Sequence, residues 1–220
     1  MARVVVVSII AAVGAGALLA IFAESWLLEI DEPLYFDWLG AGEDVRRYGP
    51  DSLNRLGQPL PAIALAIVVS LATLRCRVVS IAYPAVIVVG GLTNVVLSWI
   101  THRLRPPRST HAGEFTSYPG GHSLQVPLLL LALPLAVYVM TDSKLARNVT
   151  GVSVTIVWAV TWVDTIRTGG HWPTDQVAGF LIAMALLIVV YSVAGDALRH
   201  ESCDSCRLGS EISPTPLPPT

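Results

Sequence analysis

Apolar and polar residues follow one another along this chain in long blocks rather than at the close spacing of a surface helix. Six mostly apolar runs stand out, roughly Arg3–Ala23, Leu60–Leu74, Val78–Ile100, His122–Met140, Asn148–Ile166 and Trp172–Ala194. A helix needs about 20 apolar residues to cross the hydrocarbon core of a bilayer, and five of the runs approach that length. Leu60–Leu74 is shorter, but Gly57-Gln58-Pro59 before it and Arg75 after it bracket a tilted or slightly extended span. The pattern predicts an all-α, polytopic membrane protein with six transmembrane helices in one domain over residues 1–197. Arg3 ahead of the first run also fits a signal peptide. That run is longer than the apolar region of about 7–15 residues such peptides carry, so a span is expected.

The polar stretches complete the outline. Residues 24–59 mix Trp26, Leu27, Leu28, Leu34, Tyr35, Phe36, Trp38 and Leu39 with many acids. One or two short helices lying at the membrane interface are expected there, apolar side toward lipid. Residues 198–220 are polar and end in Pro214-Thr215-Pro216-Leu217-Pro218-Pro219, a composition expected to be disordered. Cys203 and Cys206 have the spacing of half a metal site with no second ligand pair.

Six spans place both termini on one side and the stretches after the first, third and fifth spans on the other. His122 and His171 then face one compartment. The short connections Arg75-Cys76-Arg77 and Lys144–Arg147 are basic, which points them and the termini to the cytoplasm. Lys and Arg divide seven to seven between the two sides overall, so this orientation rests on the short connections. Trp26, Trp38, Trp99, Trp162 and Trp172 fall near span ends on the histidine side, as an interfacial aromatic belt would.

Composition agrees with a membrane location and narrows the function. The chain of 220 residues is 53% hydrophobic and only 14% charged, against roughly a quarter charged for soluble domains. A net charge of -2 argues against a nucleic-acid footprint, which requires a basic face.

The candidate chemistry sits where polar loops meet spans. In Pro119-Gly120-Gly121-His122, two glycines lead into a helix N-terminus, where uncovered N–H groups and the helix dipole favour an anion. In His171-Trp172-Pro173-Thr174-Asp175, Pro173 suits a first helical turn. If the turn is helical, Asp175 can accept a hydrogen bond from the ring or backbone of His171. A carboxylate on one ring nitrogen makes the other more basic, as a nucleophilic imidazole requires. His102-Arg103-Leu104-Arg105-Pro106-Pro107-Arg108 adds guanidinium groups suited to phosphate. Each element alone has a plain structural reading: a loop-to-helix turn, an acid at a helix start, arginines snorkelling to headgroups. Together on one face they describe a phosphoryl-transfer site.

These elements, in this order, resemble the type 2 phosphatidic acid phosphatase (PAP2) superfamily over roughly residues 20–195. Its motifs are K-x6-R-P, P-S-G-H and S-R-x5-H-x3-D. Arg105-Pro106 matches the first, Pro119, Gly121 and His122 the second, and His171 and Asp175 the third. The family lysine falls on Ser98, the second-motif serine on Gly120, and the S-R pair on Asp164-Thr165. The resemblance implies that His171 attacks phosphorus to form a phosphohistidine while Asp175 orients its ring. It implies that His122 protonates the leaving group and later activates water, and that Arg105 with the Gly120-Gly121 backbone holds the phosphate. Arg167, with Arg103 or His102, is the expected substitute for the missing cations, although a shift of two residues turns a helical side chain by roughly half a turn. No metal or other cofactor is implied.

The expected function is therefore hydrolysis of a lipid phosphate or diphosphate, a polyprenyl carrier favoured. The expected place is the outer face of a bacterial cytoplasmic membrane. The alternative is a PAP2-like protein that binds or moves a phosphorylated lipid with little or no turnover. A haloperoxidase fits a membrane-embedded site poorly.

Overall fold

The computed structural model describes residues 10, 13–14, 16–18, 21, 24–39, 59–74, 76–107, 117–167 and 169–199, and leaves undescribed the side chains of Trp38, Leu39, Pro59, Leu135, Val139, Arg167, Tyr191 and residues 193–199. The described residues of the first run are helical. Six helices follow: α1 Glu24–Leu39, α2 Pro59–Ala72, α3 Arg77–Thr101, α4 Gly121–Met140, α5 Lys144–Arg167 and α6 Pro173–Arg199. No strand occurs among the described residues.

Four of these, α3 to α6, are long and apolar enough to cross a membrane. α2 has only 14 residues; at about 1.5 Å per residue it falls short of a hydrocarbon core of about 30 Å. Of the six expected spans, four are matched among the described residues; the second is a shorter apolar helix, and the first run lies largely outside the described residues. The tail beyond residue 199, with Cys203 and Cys206, lies outside them too.

Outward faces explain why such a bundle belongs in lipid. On α3, Ile81, Val88, Leu92, Val95 and Trp99 are all exposed and recur at helical spacing along one stripe. Such stripes on α3, α5 and α6 would be aggregation surfaces in water. Inside, α4 is the central helix and packs against α2, α3, α5 and α6. Close approach replaces the hydrophobic effect as the organiser of packing in lipid. A Cβ on Gly90 would fall 2.1 Å from Leu128 Cδ1, and one on Gly179 would fall 2.5 Å from Ser123 Cβ. Tyr83 of α3 donates its buried hydroxyl to the Leu129 carbonyl of α4 at 2.9 Å.

Two local features have physical causes. Lys144–Arg147, expected as a connection, is the first turn of α5, because Ser143 Oγ accepts the Ala146 N–H at 3.3 Å and caps the helix. Arg147 fastens the preceding loop by donating to the Thr141 carbonyl at 2.8 Å and lying over the Tyr138 ring. α1 keeps an apolar stripe of Trp26, Ile30 and Leu34 exposed, and an adjacent side docks on the protein. That buried stripe is Leu27, Asp31 and Tyr35. An acid in the middle of a buried stripe needs a partner, and that partner lies in the site.

Candidate active site

The site forms where the loop after α3, the loop before α4 and the start of α6 meet. α3 ends at His102, whose left-handed backbone (φ 50°) turns the chain away and sends its N–H to the Ser98 carbonyl. The next residue, Arg103, is 1% exposed. Its Nη2 donates to Asp31 Oδ2 at 2.7 Å, and its Nη1 to Asp175 Oδ1 at 2.6 Å and Thr174 Oγ1 at 2.9 Å. Burial alone would lower the guanidinium's pKa. Attraction to Asp175 and Asp31 outweighs that and raises its pKa above the ordinary value. Arg103 is therefore committed to two carboxylates and is not placed as the phosphate ligand expected from the sequence.

Asp175 is fully buried and accepts from three sides. Besides Arg103, it takes the Ser117 hydroxyl and the Trp172 N–H, the latter at 3.3 Å. The hydrogen bond expected between Asp175 and the His171 ring is replaced by another. His171 Nδ1 lies 3.0 Å from the carbonyl oxygen of Ser117. A carbonyl only accepts, so Nδ1 carries the proton and Nε2 keeps its lone pair. His171 Nε2 is buried and has no hydrogen-bond partner. Burial, then the positive charge of Arg105 and the proximity of His122, push the His171 pKa down to about 3. The imidazole is neutral across the physiological range. The His122 ring lies 6.2 Å from it, centroid to centroid.

Ser117 thus serves two groups at once, its carbonyl for His171 and its hydroxyl for Asp175. The loop that presents it is pinned to the arginine loop by Ser117 N–H to the Arg103 carbonyl at 3.1 Å. Trp172 donates its indole N–H to the Leu104 carbonyl at 2.9 Å, and Arg105 Nη1 donates to the Gly170 carbonyl at 3.1 Å. Asp31, Ser117 and Thr174 were not anticipated as part of this network. The acid between Leu27 and Tyr35 at four-residue spacing is the one signal that marks Asp31 in the sequence.

The sequence profile of the PAP2 superfamily matches residues 79–199, more than half of the chain. The chain belongs to the PAP2 superfamily. No curated protein and no solved structure matches it. Membership supports phosphatase activity on a phosphorylated substrate.

Against the PAP2 motifs, the departing positions have structural occupations. Ser98, at the lysine position, donates to the Tyr118 carbonyl at 2.9 Å and so holds the loop ahead of Pro119. Thr165, at the arginine position, is buried and donates to the Thr161 carbonyl of its own helix at 2.8 Å. Gly120, at the serine position, has φ +79°, where side chains are strained, and a Cβ there would fall 2.6 Å from His171 Cε1. The buried histidine fills the space a serine would need. Arg167 is the last residue of α5, but its side chain, like the whole of Arg108, lies outside the described residues. Arg105 is the cation whose charge reaches His171. Among the described residues no cluster of three His, Cys, Asp or Glu is placed to hold a metal.

Proposed function

We propose that the chain is a membrane lipid-phosphate phosphatase that works through a phosphohistidine on His171. The observation that supports this reading best is the state of that ring. It is fixed through Nδ1 by a backbone carbonyl, kept neutral by burial, and left with an unpartnered Nε2 beside His122. A nucleophilic imidazole needs a defined tautomer and a lone pair at working pH. Attack by Nε2 on phosphorus breaks the bond to the leaving oxygen, and His122 supplies the proton that oxygen takes up. Arg105, the Gly120-Gly121 backbone and Arg167 are the groups proposed to carry the phosphoryl charge. Asp175 acts on His171 through Ser117 rather than by direct contact. Because Nε2 is covered, an opening of the loops precedes attack. Placement at the end of apolar spans favours a phosphorylated headgroup on an apolar tail, and a polyprenyl phosphate or diphosphate is the preferred substrate. The site is proposed to face the outside of a bacterial cytoplasmic membrane, with the termini inside.

A second reading, binding or translocation without turnover, is supported by Ser98 and Thr165, which spend their hydroxyls on the fold where lysine and arginine would grip phosphate. Phosphate release from a panel of lipid mono- and diphosphates by detergent-purified protein separates the two. Wild type is expected to turn over at least one of them, and His171→Ala to fall by about a thousandfold or more. Equal release by both proteins removes the nucleophile assignment. No release by either, with lipid still bound, favours the binding protein.

A further inference from the structure

Gln176, next to Asp175 at the start of α6, is 3% exposed, and its Nε2 has no hydrogen-bond partner. An amide buried without a partner is costly, and an apolar side chain of similar size would avoid that cost. Gln176 lines a narrow cleft with His122, Thr161, Thr165, Trp158 and Trp162. The hydroxyls of Thr161 and Thr165 donate to the Val157 and Thr161 carbonyls, each at 2.8 Å. Neither hydroxyl proton is therefore available to the cleft. Gln176 contributes an N–H donor, and His122 contributes a ring able to take a proton. The space is about 10 Å³, close to the roughly 10–15 Å³ that one water needs on the same measure. A phosphoryl group is too large for it.

We propose that this cleft seats the water that hydrolyses the phosphoenzyme, with Gln176 as its positioning residue; the inference rests on the phosphohistidine reading above. The water accepts from Gln176 Nε2 and directs an O–H toward His122. Its oxygen bonds to phosphorus as the bond from phosphorus to His171 Nε2 breaks, and that electron pair returns to Nε2. His122 takes the proton, and inorganic phosphate leaves. Gln176 thus acts in the second half of the cycle and has no part in the first.

The test uses the full chain in detergent with a lipid phosphate carrying radiolabelled phosphorus, quenched in alkaline denaturant to preserve phosphohistidine. Gln176→Met and Gln176→Leu keep bulk and remove the donor. Both should form phosphoenzyme in the first turnover at a rate within about twofold of wild type. Both should accumulate it about tenfold at steady state, with kcat lowered to match, as loss of one hydrogen bond predicts. Slowed formation without accumulation would place Gln176 on the substrate phosphate and overturn the inference. Unchanged phosphoenzyme levels and kcat would overturn it as well. Turnover that survives His171→Ala would instead sink the phosphohistidine reading beneath it.

Discussion

Asp31, Arg103, Ser117, Thr174 and Asp175 bond to one another almost completely, whereas His171, Gln176 and Ser123 each keep a buried polar atom without a partner. The two groups interleave in the sequence, and residues 174, 175 and 176 include members of both. Neighbouring positions on one helix turn thus carry opposite duties. In the bonded group, charges compensate each other and hold α1, the two loops and α6 together, with Arg103 Nε as the one loose end. In the unbonded group, a lone pair and a donor are left over at the positions where the proposed phosphoryl transfer would use them. A buried pair adds little net stability but is costly to break on one side, so the first group is a matter of geometry and the second of reactivity.

The sharpest way to break this contrast is Arg103→Leu. It leaves Asp31 and Asp175 buried without their cation and should cost about 3–5 kcal/mol, read as a large fall in the melting temperature in detergent with activity lost alongside. The Gln176→Met protein should keep its melting temperature, since Nε2 bonds to no other group of the protein. The reverse ranking would dissolve the distinction. Ser117→Ala comes next. It removes the hydroxyl from Asp175 but keeps the carbonyl under His171, so stability should fall by about 1.5–3 kcal/mol. The kcat of the folded protein should stay within a few-fold. A loss as deep as that of His171→Ala would mean that the hydroxyl, not the carbonyl, governs the ring.

The smallest effect is a slope. His171 has its pKa lowered to about 3, while an unfolded histidine titrates near 6.5. Below pH 6.5 the unfolded chain takes up a proton that the folded one refuses. The stability this residue contributes is present above that pH and is lost as pH falls toward 3. The loss should reach about 1.4 kcal/mol per pH unit. Denaturation of wild type and His171→Gln between pH 6.5 and 4.5 should show the variant flatter by that amount. Parallel curves would show that the folded ring protonates normally.

What could be read from the chain alone follows from the range of the interactions. His122, His171, Asp175 and Arg105 are visible because each marks a junction between loop and apolar run, and such junctions are local. The helical character and the four long spans are local for the same reason. The bond expected between Asp175 and the His171 ring does not form, because a spacing of four implies one helical turn, whereas α6 begins at Pro173 and His171 precedes it. The i, i+4 geometry does not extend across that boundary, and Asp175 folds back on the Trp172 N–H instead. Asp31 and Ser117 depend on docking across 72 and 58 positions of sequence, which no spacing rule encodes. The second run reads as a span from its composition; its helix ends at Ala72, with Thr73 donating its hydroxyl to the Val69 carbonyl.

Gly179 is not among the residues proposed to react, yet it governs how closely α6 meets α4. Its missing Cβ lets α6 lie against Ser123, one residue from His122 on α4. The same two helix starts carry Asp175 and Gln176 on one side and the Gly120-Gly121 turn on the other. A methyl at 179 would have to displace the backbone of Ser123, 2.6 Å away, and would spread those starts like a shim between two rails. The separation of the proposed proton donor and nucleophile thus depends on a missing Cβ one helical turn beyond Asp175.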